Sequence, residues 1–386
     1  MAARPRLNSC STPHAEGLAP MNASRFHTVG QALSVFCVAW SAQLAVAANP
    51  GQVASTASPA AGPHGDLIYT SLRTGSSQIF RIDADGARET RLTQSQHSEL
   101  QPVWSRQGRI AFVSTRSGGG DIYTMDAQGG DLRQLTSRPG LEQSVAWSAD
   151  GQHLAYIGET DGRAELRLIK ADGTGDRLIA ADMAEVGSPA WSPDGTKIAF
   201  NANVNGKLRV FVFDLVSGAI TPAAEGKGGE FGPVWSPDGR SLVFVHSGSR
   251  TEGVNLRKVQ LGSQTSVALT KDGYTNSQPQ FSPDGSKLLF LSNASSQGST
   301  MNVHVMNADG TGVVNLTRWE HADMGASWSD DGRYVYFMSF RDWPGQIYRI
   351  GADGQGLQRL TKSASQEGFP VGRPAATTVA AAARNP

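Results

Sequence analysis

Short runs in which apolar and polar side chains take turns dominate this chain. Arg109-Ile110-Ala111-Phe112-Val113-Ser114 and Lys197-Ile198-Ala199-Phe200 are two of them. A second run follows each, such as Asp121-Ile122-Tyr123-Thr124-Met125-Asp126, then a Gly-rich turn (Gln128-Gly129-Gly130) and a third run ending in Leu135-Thr136. A period of two, with β-branched and aromatic residues and Asp-Gly or Gly-Gly turns, predicts antiparallel strands joined by hairpins. No stretch carries a capped 3.6-residue apolar period, so helices are expected to be nearly absent.

The runs are spaced by a motif. PVWSRQG (102–108), VAWSADG (145–151), PAWSPDG (189–195), PVWSPDG (233–239), PQFSPDG (279–285) and ASWSDDG (326–332) place an aromatic residue at Trp104, Trp147, Trp191, Trp235, Phe281 and Trp328. The gaps are 43, 44, 44, 46 and 47 residues. A steady period of this length means one small unit copied many times. With the motif segment counted, each unit has four strands, A to D, the pattern of a β-propeller blade. The aromatic residue serves as a wedge between blades. Ser-Pro-Asp-Gly is turn chemistry, with Pro fixing φ, Asp bonding backbone amides and Gly taking positive φ. The other Asp-Gly pairs (Asp85-Gly86, Asp172-Gly173, Asp309-Gly310, Asp353-Gly354) lack the ligand series of a calcium loop and are read as turns.

Leu-Thr-like ends fall at Thr93, Thr136, Ala180, Ala223, Thr270, Thr317 and Thr361, one more than the full A motifs. The odd unit is the first, which starts at strand B with Leu67-Ile68-Tyr69-Thr70. Its missing strand is matched at the other end, where Glu367-Gly368-Phe369-Pro370-Val371 follows the register of Glu99-Leu100-Gln101-Pro102-Val103. The expectation is an all-β ring of seven blades, with six as the alternative, closed by the C-terminal strand.

These residues resemble the TolB-type propeller repeat: P-x-W-S-P-D-G, then x-I-A-F, then I-Y-x-x-D-x-x-G-G, then L-T. The family includes the periplasmic Tol-system protein and the propellers of prolyl-oligopeptidase-like and tricorn-like peptidases. The resemblance covers residues 65–373 and implies the fold, whereas propellers host unrelated activities. The Tol-system protein carries an α/β domain before its propeller, whereas only a short linker is expected before the first strand here. No G-x-S-x-G nucleophile elbow occurs in it either, which argues against a serine peptidase.

Residues 1–47 read as a signal peptide, with Met21 as the alternative start: Arg25 precedes an apolar stretch (Ala32 to Ala47) ending in Ala45-Val46-Ala47. The stretch is short for a membrane span and is interrupted by Ser41 and Gln43. Residues 48–64, rich in Ala, Ser, Pro and Gly, read as a flexible tether, 65–373 as the propeller and 374–386 as a disordered tail. Both cysteines, Cys10 and Cys37, fall in the leader, so no disulfide or thiol chemistry is expected in the mature protein. Lys and Arg number 34 against 34 Asp and Glu. With no basic cluster, nucleic acid is not an expected partner.

Candidate chemistry lies where the copies differ. In a propeller strand A lines the channel, and the D–A and B–C loops share one face. The residue five before each aromatic is therefore expected at the channel mouth: Glu99, Glu142, Val186 with Glu185 beside it, Glu230, Asn276, Asp323 and Glu367. Such a ring of carboxylates focuses negative potential and suits a cation, amine or basic peptide. The alternative is that each acid accepts backbone hydrogen bonds or pairs with an Arg of the next blade. His97 and His321, with Glu99 and Asp323, are weak candidates for a divalent metal, and no other cofactor is expected. Trp319, Trp343, Arg73, Arg116 and Arg341 lie in loops of the same face and are interface candidates, since exposed Trp and Arg anchor interfaces.

The reading is an exported, periplasmic or secreted monomer that acts as a non-catalytic scaffold for an envelope protein or peptide, with no stable membrane span after signal cleavage. Its alternatives are a metal-dependent lyase or hydrolase at the channel mouth and a propeller partner of a separate peptidase.

Overall fold

Each repeat forms one four-stranded antiparallel sheet, and seven such sheets are built. The computed structural model describes residues 66–180, 183–226, 228–249 and 251–374. The expected signal peptide and tether lie outside these residues, as does the expected tail from 375 onward. In blade 2, strand A is Glu99–Trp104, B is Ile110–Ser114, C is Asp121–Met125 and D is Arg133–Gln134, hydrogen-bonded in that order. Blades 3 to 7 repeat the plan, with A strands at Glu142–Trp147, Ala184–Trp191, Gly229–Trp235, Asn276–Phe281 and Asp323–Trp328. Blade 1 takes its strand A from the far end of the chain. Glu367–Gly372 pairs antiparallel with Leu67–Ser71, Val371 opposite Ile68 and Glu367 opposite Ser71. The helical content described is one 3₁₀ turn, Ala294–Ser296.

The alternation in each strand B divides its side chains between two neighbours. Ile110 and Phe112 pack with Ile68, Ile79 and Trp104 at the junction of blades 1 and 2. Ala111 and Val113 face the other way, to Leu154, Tyr156 and Trp147 at the junction of blades 2 and 3. Every residue of Ile110–Ser114 is buried, because each sheet is sandwiched rather than half-exposed. Seven such clusters, one per junction, replace a single core.

Most of the recurring polar residues have a bond to explain them, the indole N–H groups of Trp104 and Trp147 excepted. The Trp wedges latch backward: the indole N–H of Trp191 donates to the Ala146 carbonyl (3.1 Å), Trp235 to Ala190 (2.9 Å) and Trp328 to Gln280 (3.2 Å). In the A–B turns Ser148, Ser192, Ser236, Ser282 and Ser329 donate to Asp150, Asp194, Asp238, Asp284 and Asp331. The Leu-Thr ends cap strand C from strand D. The hydroxyls of Thr93, Thr136, Thr270, Thr317 and Thr361 accept the amides of Ile79, Ile122, Leu256, Val303 and Ile347. An amide with no such partner would be costly at these buried positions.

Ring closure is asymmetric for a steric reason. Gly372 stands in the aromatic slot, and a Cβ there would lie 2.1 Å from the Trp328 carbonyl oxygen, so only glycine fits. Ser327 accepts the Gly372 amide (3.1 Å) and donates to the Pro370 carbonyl (2.9 Å). Arg373 adds a further backbone bond to Asp66 (2.9 Å) and lies over Trp104.

A chain ended at Ser365 lacks the closing strand and leaves blade 1 with an open edge. It should lose on the order of 5 kcal/mol or more, enough to abolish a cooperative transition. A chain ended at Pro374 should melt like the full protein. Thermal unfolding followed by circular dichroism checks both, and equal melting of the two truncations would refute the closure.

Candidate interaction face

Antiparallel A–B–C–D order puts every B–C hairpin loop and every D–A connection on one end of the ring. Blades 3 and 4 are taller there. Their central hairpins, His153–Thr160 with Arg163–Lys170 and Lys197–Val204 with Lys207–Asp214, run eight residues per strand and turn at Asp161-Gly162 and Asn205-Gly206. Positive φ at both turn residues (51° and 75°, 54° and 79°) is the tight geometry that Asp-Gly and Asn-Gly favour. On the far side of the ring, blade 7 presents aromatic side chains instead. Trp343 is 79% exposed and Trp319 45% exposed. The Trp343 ring lies 5.9 Å from Phe340, and Trp319 lies 6.2 Å from His321.

The open carboxylate ring is a correction. Glu99, Glu142, Asn276, Asp323 and Glu367 have no exposure and Glu230 is 1% exposed, so none of the six faces the channel. Their side chains turn into the blade junctions. Arg116 binds Glu99 at 2.7 Å and Arg73 binds Glu367 at 2.9 Å, while Arg341 lies 3.6 Å from Asp323. In each case the Arg comes from the B–C loop of the acid's own blade rather than the next one. Arg209, 3.6 Å from Glu230, comes from the preceding blade. Burial dominates the chemistry: it raises Asp323, Glu230 and Glu367 above the ordinary carboxylate range although an Arg beside each pulls the other way. Asn276 bonds the Val254 carbonyl (3.2 Å) and Asp272 (2.9 Å). At the fourth blade Val186 fills the slot, buried, and Glu185 is exposed and bonded to Asn203 (2.8 Å).

The same contacts reassign the three Arg interface candidates. Arg73, Arg116 and Arg341 each donate Nε to a serine two residues earlier (Ser71, Ser114, Ser339, all 2.9 Å). Their guanidinium carbons sit over Phe80 (4.3 Å), Tyr123 (4.6 Å) and Tyr348 (5.0 Å). These side chains are bound into blades 1, 2 and 7, and only Trp319 and Trp343 of the interface set stay available. Arg341 also lies 5.4 Å beneath Trp319 and braces it. His97 and His321 are exposed in different D–A connections, and among the described residues no three potential metal ligands converge.

What faces the channel instead was missed from sequence. Every A strand carries a residue in the left-handed region two positions after its slot residue (Glu99, Glu142, Val186, Glu230, Asn276, Asp323 or Glu367): Gln101, Ser144, Ser188, Gly232, Gln278, Gly325 and Phe369, with φ between 49° and 60°. The ladder register shifts there in every blade, which marks a β-bulge that bends the inner strand. Gln101 accepts the Ser144 amide at 2.9 Å and so links neighbouring inner strands. Gln278 and Phe369 are exposed on this wall. Five of the seven bulge residues are not glycine, so glycine gave no signal.

The fold and this face define a seven-bladed β-propeller closed by its C-terminal strand. The TolB β-propeller domain family model (PD40) matches residues 24–185 and 161–298, and the chain belongs to that family. An uncharacterized protein of Agrobacterium fabrum is 29% identical over 131 residues, 32% of this chain. The match spans 44% of that relative, less than half its length. Among solved structures, TolB from Acinetobacter baumannii superposes with a TM-score of 0.54 at 17% identity, over 80% of this chain and 67% of that one. A puromycin-hydrolyzing peptidase of Mycobacterium tuberculosis reaches 0.63 at 17% identity, over 79% and 53%. Oligogalacturonate lyase from Vibrio parahaemolyticus reaches 0.58 at 14%, over 78% and 86%. At these identities the likeness is one of fold. Among the described residues no helix is long and apolar enough to cross a membrane.

The two residue classes should separate under mutation. Arg116→Ala strands the Glu99 carboxylate in a buried junction and should cost about 3 kcal/mol. Trp343→Ala removes an exposed ring and should change stability by no more than about 0.5 kcal/mol. Urea midpoints of the two variants provide the check.

Proposed function

We propose that this chain is an exported TolB-like propeller, periplasmic or secreted, that works without catalysis as a scaffold for an envelope protein or peptide. The observation that carries the reading is the exposure of Trp343, which lies against Phe340, and of Trp319, both on the loop end of the ring at blade 7. Large amphipathic rings of this kind are the anchors that recur at the centres of protein interfaces. The patch continues inward: Phe340 and Met324 pack on one apolar cluster with Met338, and Phe369 lies against Gly325 at the channel wall. A partner lying across the loop end can therefore meet apolar contacts from the rim of blade 7 to the channel.

The two ends of the propeller support the same orientation. Asp66 and Arg373 meet at the opposite end of the ring, where the A–B turns lie. Any tether leaving that end keeps the aromatic face directed outward.

Affinity capture from an envelope extract, with the native chain and the Trp319→Ala/Trp343→Ala variant side by side, tests this reading. The variant should keep its melting temperature and lose at least about tenfold in retained partner, as expected for removing two anchors. Identical capture by both proteins would sink it. Stoichiometric manganese or zinc on the purified protein, lost in His97→Ala, would move the function to the metal-dependent lyase or hydrolase alternative.

A further inference from the structure

At each blade junction the polar residue near the start of one blade's strand C approaches the residue opening the next blade's strand A. Strand C supplies Gln78, Asp121, Glu165, Arg209, Asn255, Asn302 and Gln346 around the ring. Their counterparts on the next blade's strand A are Glu99, Glu142, Val186, Glu230, Asn276, Asp323 and Glu367, and side chains of the two series approach directly at Arg209 and Glu230 (3.6 Å) and at Asn302 and Asp323 (3.5 Å). Six of these junctions pair an acid with an amide or an Arg, an amide with an amide, or a lone acid with an apolar residue. The junction of blades 2 and 3 instead sets two carboxyls, Asp121 and Glu142, against each other. The B–C loop position that supplies Arg116 to Glu99 is occupied in blade 3 by Thr160.

The pair is buried, with Asp121 4% and Glu142 0% exposed. Its outer oxygens have donors: Ser117 donates to Asp121 Oδ2, and Thr136 to Glu142 Oε2 (3.2 Å). Asp121 Oδ1 and Glu142 Oε1 are both enclosed with no hydrogen-bond partner, and the two carboxyls lie within hydrogen-bonding reach of each other. Two carboxylates cannot bond without a proton between them.

We propose that the junction of blades 2 and 3 is a proton-dependent seam, in which Asp121 and Glu142 share one proton and its loss loosens the contact between the two blades.

The charged groups around the pair leave that proton in place. From blade 2, Arg116 is committed to Glu99 and stacks on Tyr123. From the connection to blade 3, Arg138 reaches Thr160 (2.8 Å), Glu165 (3.6 Å) and Asp176 (3.9 Å). Burial and the neighbouring Asp121 push Glu142 up to about 7, with Thr136 and Arg138 opposing; burial also raises Asp121. The backbone at the seam has no slack. The Glu142 amide bonds the Gly120 carbonyl at 2.6 Å, and Cβ atoms at Gly119 and Gly120 would meet the Gly140 carbonyl at 2.6 Å and the Leu141 side chain at 2.3 Å. Repulsion between the two carboxyls therefore acts directly on the strip where loop and connection touch.

The sign follows from linkage. The closed seam binds a proton more tightly than the opened one, where a carboxyl titrates near its ordinary 4.5. Stabilisation from the pair is complete below about 4.5, drains away as pH rises to about 7 and levels off above it. Amide exchange by mass spectrometry between pH 5 and 8, corrected for intrinsic rates, reads this directly. Segments 117–122 and 137–143 should open several-fold more per pH unit up to 7, at most about tenfold. Segment 253–277, at the junction of blades 5 and 6, where the amides Asn255 and Asn276 take these positions, should lack that rise. Asp121→Asn, which installs the side-chain amide found at four other junctions as Gln78, Asn255, Asn302 and Gln346, should flatten the profile. Glu142→Gln should do the same and serves if the first variant fails to fold. A flat profile in the native protein, or an unchanged slope in a folded variant, overturns the seam.

Discussion

A four-stranded sheet of this size has two apolar faces and cannot hide either of them alone. Burial of both faces against neighbouring sheets is the constraint from which the rest of the architecture follows. Each strand B sends alternate side chains to opposite junctions, as Phe112 goes to blade 1 and Val113 to blade 3. No blade is then stable without its neighbours, and the ring has to close. Closure falls to the last strand, and Gly372 marks the place where backbone replaces the Trp wedge.

Packing sheets face to face also buries polar atoms at the end where inner strands begin. The acids that open the A strands lie there, and burial is costly unless each finds a donor or cation. Ser-x-Arg in blades 1, 2 and 7 answers that demand with a guanidinium held by a serine and laid over an aromatic ring. Blade 3 has no such Arg, and a second carboxyl stands where most junctions carry an amide. Variation among copies thus changes the strength of individual junctions as well as the outer surface.

With the acids consumed by scaffold, what remains for recognition is unlike what repeat counting alone suggests. It is a narrow set: exposed rings on blade 7, tall hairpins on blades 3 and 4, and a channel wall of bulged, mostly uncharged residues. The TolB-like family frame accounts for the propeller, and these departures from it carry the individuality of the chain.

Much of the fold was readable from residue order, because its causes are local or periodic. Alternation, turn chemistry and a recurring aromatic give strands, hairpins and blade number, and a tail copying the missing strand gives the closure. Side-chain direction was not readable in the same way. Glu99 and Glu367 are placed correctly at the start of inner strands, yet whether such a carboxylate points to the pore or into a junction depends on a bulge two residues later and on Arg116 and Arg73 folding back from a loop. Nor does anything local mark Gln101 or Phe369 as left-handed, or tell that Asp121 meets Glu142 across a junction. Those facts arise only when separate sheets are brought together, since neighbours distant in sequence decide which groups lose water and which retain it.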